Sequence, residues 1–121
     1  SILKRSNEIN QMMKVIGEEG TSAEDYMVYQ KGELLDAVYL QQNSSDPIDA
    51  ACEPERQIHE FDVLYDVLTR SYDLSDKRDI RSFFNQVRQE FLDWHNTVFK
   101  TPEFEAQEKK LKDLYLSKVN G

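Results

Sequence analysis

Apolar residues recur at three-and-four spacing along most of the chain, and no stretch alternates apolar with polar residues for the length of a strand. Ile2, Ile9, Met12, Met13 and Ile16 share one helical face over residues 2–16, an amphipathic helix. Gly17 follows where the helix must stop, and glycine tolerates the left-handed backbone of a C-terminal cap. Thr21 or Ser22 is placed to start a second helix, since a side-chain hydroxyl there accepts hydrogen bonds from free amides. Glu24 or Asp25, three positions on, completes a capping box. This helix is expected to run to Gln42 and to bury Tyr26, Tyr29, Leu34, Leu35, Val38 and Tyr39. Gly32 within it costs about 1 kcal/mol relative to alanine, a cost that close approach by a neighbouring element would explain.

Residues 43–52 gather Asn, Ser, Asp and Pro into a loop, with room for a short helical turn at 48–51. Pro54 suits the first turn of a third helix, for which Ile58, Phe61, Leu64, Tyr65, Leu68 and Tyr72 form the predicted buried stripe. The Asp73-Leu74-Ser75-Asp76 stretch separates it from a fourth helix marked by Ile80, Phe83, Phe84, Val87, Phe91, Trp94 and Val98. Thr101 as cap and Pro102 at the first helical position open a fifth, through Phe104, Leu111, Leu114, Tyr115 and Val119. No segment repeats at a fixed period. The pattern predicts an all-α, single-domain bundle of five amphipathic helices, packed as antiparallel neighbours through short connections.

Composition narrows the picture. A chain of 121 residues is long enough for one real core. Its 31% charged residues, thirteen aromatics and only seven glycines and prolines together favour a folded helical domain over a disordered tail. Fifteen basic against twenty-three acidic residues leave a formal charge of −8, which repels phosphate backbones and anionic membrane surfaces. Nucleic acid is therefore excluded as the expected partner, and no apolar run reaches the roughly 18–20 residues that span a bilayer. Cys52 is the single cysteine, so no internal disulfide is available and a reducing compartment fits.

Candidate chemistry is sparse. Gly17, Gly20, Gly32 and Gly121 do not form a phosphate-cradling loop. His59 and His95 stand apart, without the companions that a metal site of three or four ligands requires. Acid pairs such as Glu18/Glu19, Glu24/Asp25, Glu53/Glu55 and Asp73/Asp76 fall in turns and helix first turns, where carboxylates complement the helix dipole. No catalytic or metal-binding residue is predicted. The distinctive segment is the acidic turn Glu18, Glu19, Gly20, Thr21, Ser22, Ala23, Glu24 and Asp25, set between two helices.

That turn, with Val15 and Ile16 before it, the segment Leu35-Asp36-Ala37-Val38-Tyr39-Leu40-Gln41-Gln42-Asn43 after it, and the later Asp49 and Glu55-Arg56-Gln57, resembles the C-terminal helical domain of the catalytic A subunit of bacterial V-type ATPases. The resemblance covers nearly the whole chain. The subunit's N-terminal barrel and its P-loop domain have no counterpart in these residues, so the resemblance implies a piece of a longer, ion-translocating ATPase that binds ATP or ADP with Mg elsewhere. It implies that residues 18–25 contact central-stalk rotor subunits, that neighbouring B subunits are further partners, and that the domain is cytoplasmic, peripheral to the membrane. It also implies that Gln42, Asn43, Ser44 and Ser45 edge the nucleotide; Ser45 stands where the family commonly carries an aromatic against adenine. The alternative reading of the same residues is a free-standing acidic adaptor that binds a basic partner helix.

Overall fold

A computed structural model describes residues 2–43 and 54–119; of residues 2, 3, 16, 18 and 39–43 it describes the backbone alone. Among the described residues five α-helices follow one another: α1 (Ile2–Ile16), α2 (Ala23–Asn43), α3 (Pro54–Thr69), α4 (Lys77–His95) and α5 (Pro102–Leu116). A single 3₁₀ turn, Glu18–Gly20, lies between the first two. Among the described residues the only β-type pairing is one isolated antiparallel bridge, between Tyr72 and Val119. Beside it the Asp73 amide donates to the Lys118 carbonyl at 2.8 Å, joining the exits of α3 and α5. The predicted loop at 43–52 and the helical turn at 48–51 fall outside the described residues, except that Asn43 closes α2.

The ends of the helices follow from local chemistry. Asp76 caps α4, its carboxylate accepting from the Arg78 amide at 2.7 Å. Thr101 caps α5, accepting from the Phe104 amide at 3.2 Å, with Pro102 in the first turn as predicted. In both cases a side-chain oxygen satisfies an amide that has no partner within its own helix.

The core is built on α4. Ile80, Phe83, Phe84, Val87, Phe91 and Trp94 are all buried, while Val98, beyond the helix end, is exposed. Helix α5 lies antiparallel to α4, Gln107 donating to Glu90 at 2.6 Å and Phe104 packing on Trp94 at 5.1 Å between ring centroids. Two other contacts join parallel helices. Lys77 and Arg81 of α4 reach Thr21 and Tyr26 at the start of α2 in the same order, and His59 and Asp66 of α3 meet Glu108 and Tyr115 of α5 in the same order. Consecutive helices thus alternate in direction, and alternate helices pack side by side.

Helix α3 keeps part of the predicted stripe, with Leu64, Leu68 and, beyond its end, Tyr72 buried, and departs from it in the rest. Its buried residues are Glu60, Val63, Leu64, Val67 and Leu68, whereas Ile58 and Tyr65 are 65% and 71% exposed and Phe61 is 38% exposed. The sequence carries two apolar rows on this helix, and the larger side chains of the outer row misdirect the periodicity argument. The inner row, Val63, Leu64, Val67 and Leu68, is the one that joins the buried cluster containing the aromatics of α4.

At the head of that inner row Glu60 is fully buried. Its carboxylate accepts from Arg56 Nε at 2.6 Å and lies 2.8 Å from His95 Nδ1. Arg56 also donates to the backbone carbonyls of His95 and Thr97, so its guanidinium satisfies carbonyls left open at the end of α4. The acid was legible only as a polar helix position; the signal was its place at i, i+3, i+4 and i+7 with Val63, Leu64 and Val67.

Gly32 has the close neighbour its position demanded. A Cβ built there would overlap the Cβ and Oγ of Ser6 on α1, a buried serine whose hydroxyl donates to the Tyr29 carbonyl at 3.3 Å. Gly32→Ala gains about 1 kcal/mol of helix propensity but forces α1 and α2 apart, for an expected net loss of about 1–2 kcal/mol. Denaturant melts test this, and Ser6→Gly in the same chain should recover most of the loss. A melt showing that Gly32→Ala alone stabilises the domain contradicts the packing described.

Candidate functional site

Helix α1 ends as predicted. Gly17 adopts a left-handed φ of +81° and its amide donates to the Met13 carbonyl at 2.8 Å. The chain then makes the 3₁₀ turn, closed by a 3.2 Å bond from the Gly20 amide to the Gly17 carbonyl. Ser22 is the residue that caps α2, its hydroxyl accepting from the Asp25 amide at 3.1 Å. The predicted capping position thus resolves to Ser22.

The eight residues of the acidic turn have unequal roles. Glu19, Gly20, Ser22 and Glu24 are exposed and Ala23 is half-buried; the Glu18 side chain lies outside the described residues. Thr21 is buried, with its hydroxyl donating to the Gly17 carbonyl at 3.3 Å. Asp25 faces back along the hairpin, where it meets Arg5 of α1 at 3.0 Å. Lys77 at the start of α4 donates to the Thr21 carbonyl at 2.7 Å. Four residues further on, Arg81 donates to the Tyr26 hydroxyl at 3.0 Å. The turn is therefore fastened from inside by Thr21, Asp25 and Lys77 and presents Glu19 and Glu24 outward, beside an apolar Val15 that is 84% exposed.

Lys77 and Arg81, which hold the candidate turn and the start of α2, are the residues that sequence reasoning missed. Their sequence context is a polar first turn of α4, and contacts to residues so distant in the chain leave no local signature. Burial lowers the pKa of Lys31, another cation that leaves α2, donating to the Arg70 carbonyl at 2.7 Å and lying over the Tyr72 ring.

The second candidate segment is at the other end of α2. Gln42 and Asn43 form its last turn, about 30 Å from Ala23 at 1.5 Å of rise per residue; Ser44 and Ser45 lie outside the described residues. The two segments do not converge on one site. They occupy opposite ends of one helix.

Both histidines meet carboxylates of other helices, His59 with Glu108 and His95 with Glu60. His59 lies 2.5 Å from Glu108 and edge-on to Trp94, in a shallow groove of about 370 Å³ shared with Glu55, Phe99, Phe104 and Glu105. Burial raises the Glu108 pKa, but hydrogen bonds from Lys112 and His59 outweigh it and hold the carboxyl below its ordinary range. Among the described residues no group of three or more His, Cys, Asp or Glu could hold a metal ion. The described glycines sit in a cap, a 3₁₀ turn and a helix interior, and none of them belongs to a phosphate-cradling loop. No helix among the described residues is long and apolar enough to cross a membrane.

The chain is similar to proteins of spirochaetes named V-type ATP synthase alpha chain. It is 53% identical over 118 residues to that of Borrelia turicatae (strain 91E135) and 53% identical over 116 residues to that of Borrelia hermsii (strain HS1 / DAH). It is 50% identical over 114 residues to that of Borreliella burgdorferi (strain ZS7). These alignments cover 98%, 96% and 94% of the chain but 20% of each relative, so the chain spans about a fifth of the length of these curated relatives. No solved structure matches it. The family described as the C-terminal domain of V and A type ATP synthase matches residues 1–78, which hold the hairpin, α3 and the first two residues of α4, and the chain belongs to that family.

Proposed function

We infer that this domain is the lever of the catalytic subunit of a rotary V-type ATPase, transmitting force between nucleotide state and the central stalk. The parent subunit would bind ATP or ADP with Mg in a neighbouring domain and couple their turnover to proton or sodium transport. The observation that carries the reading is the tip itself: a short capped turn, tied to α4 through Lys77, with Glu19 and Glu24 directed outward. A stiff turn passes on a push that a slack loop would absorb. Exposed ion pairs are worth only about 0–1 kcal/mol each, so contacts between these carboxylates and basic stalk residues can break and re-form as a shaft turns.

The placement of the second segment supports the same reading. Gln42 and Asn43 on the nucleotide side and Glu19 on the stalk side would be the two ends of a rod made by α2, so a tilt at one end becomes a displacement at the other. Neighbouring B subunits would flank the bundle, which moves as a rigid body.

In the assembled complex, glycines inserted into the turn at residues 18–25 should lower torque and coupling of hydrolysis to transport, with nucleotide binding nearly unchanged. Single-molecule rotation and a transport assay on the same preparation measure both quantities. Unaltered coupling after the insertion defeats the proposal.

A further inference from the structure

The outer row of α3 is an apolar ridge that the bundle leaves uncovered. Ile58, Phe61 and Tyr65 stand at i, i+3 and i+7, so they form one line about 10 Å long at 1.5 Å of rise per residue, exposed at 65%, 38% and 71%. Two large aromatics and an isoleucine in line on one helix are the composition of an interface centre and not of an ordinary solvated face.

The charges beside the ridge say what it would accept. Glu55, Asp62 and Thr69 share the exposed face. Asp62 has no hydrogen-bond or ion-pair partner among the described residues, whereas Glu55 meets Lys100 at 3.0 Å and Asp66, at the edge, is held by Arg70 and Tyr115. The unneutralised charge next to the ridge is therefore negative. A straight ridge along one helix is the shape that fits a groove between the side-chain rows of a second helix.

We propose that the outer face of α3 docks an amphipathic helix of a neighbouring polypeptide chain, one with an apolar stripe for Ile58, Phe61 and Tyr65 and a Lys or Arg for Asp62. This surface is separate from the acidic turn: none of its residues touches α1, the turn or α2 in any contact described above. The inference stands whether or not the turn meets a rotor.

Hydroxyl-radical footprinting of the full-length subunit, free and in its assembled complex, tests it. Tyr65 should be oxidised freely in the free subunit and about fivefold more slowly in the complex, as for a side chain moved to an interface centre. Asp62→Lys should weaken assembly about tenfold while leaving the melting of the free subunit unchanged, the signature of a repelled basic partner. Tyr65→Ser, which removes apolar contact without adding charge, should weaken assembly too. A photoreactive residue at position 65 should capture a peptide that reads as a basic amphipathic helix. The proposal is overturned if Tyr65 is equally oxidised in both states, if it is already protected in the free subunit because its own chain covers it, or if protection depends on self-association. It is equally overturned if Asp62→Lys assembles normally, or if the captured peptide is acidic or lacks an apolar stripe.

Discussion

Glu60→Ala is expected to destabilise the domain by about 3–5 kcal/mol, the usual result of removing one partner from a buried ion pair. The glutamate is fully buried and holds Arg56 at 2.6 Å and His95 at 2.8 Å. With the carboxylate gone, the largely enclosed guanidinium loses its partner at 2.6 Å, and the His95 ring loses the group that orients it. The damage extends to α4, since the same arginine satisfies carbonyls at that helix's end. In a domain of this size each kcal/mol moves the midpoint by about 3–6 °C, so thermal unfolding followed by circular dichroism should shift by about 9–30 °C. Glu60→Gln keeps the volume and one acceptor and should cost about half as much. A midpoint within a few degrees of the parent for Glu60→Ala would show that the three groups do not act as a unit.

Trp94→Ala should cost about 3–5 kcal/mol, through lost transfer energy and the cavity left behind. The indole is fully buried among Phe91, Phe104 and His59, at centroid distances of 5.4, 5.1 and 5.7 Å. Its Nε1 is buried with no hydrogen-bond partner among the described residues. Trp94→Phe therefore removes no hydrogen bond, and it relieves an unsatisfied donor whose burial costs about 1–3 kcal/mol. The phenylalanine variant should lie within about 1.5 kcal/mol of the parent despite its smaller ring. Urea melts of the two variants check the contrast, and equal losses for both would mean that the indole nitrogen has a partner in solution.

Helix boundaries were legible in the sequence because they are set by residues next to them: Gly17 for the left-handed cap, Ser22 and Thr101 as hydroxyl caps, Pro102 in a first turn. The buried face of α4 was legible for the same reason, as its aromatics leave no competing row. Helix α3 was partly misread because two apolar rows compete on one cylinder, and only the shape of the neighbour decides between them. Glu60 was invisible as a core residue since its burial depends on Arg56 and His95 arriving from two directions. The turn between α1 and α2 was legible from Gly17 and the hydroxyl caps, but the burial of Thr21 and the pairing of Asp25, against the exposed Glu19 and Glu24, depend on Lys77 and Arg5, contacts that span elements. Gly32 lay between these cases: the sequence flagged a crowded position, and Ser6 supplied the crowding.

The small bridge between Tyr72 and Val119, with the bond from Asp73 to Lys118 beside it, straps the exits of α3 and α5 together, so the strap must be undone before those two helices can separate. The α1–α2 hairpin is pinned to α4 through Lys77 and Arg81. A load placed on the hairpin's end would reach α4 first and would spread to α5 through Gln107 and Phe104.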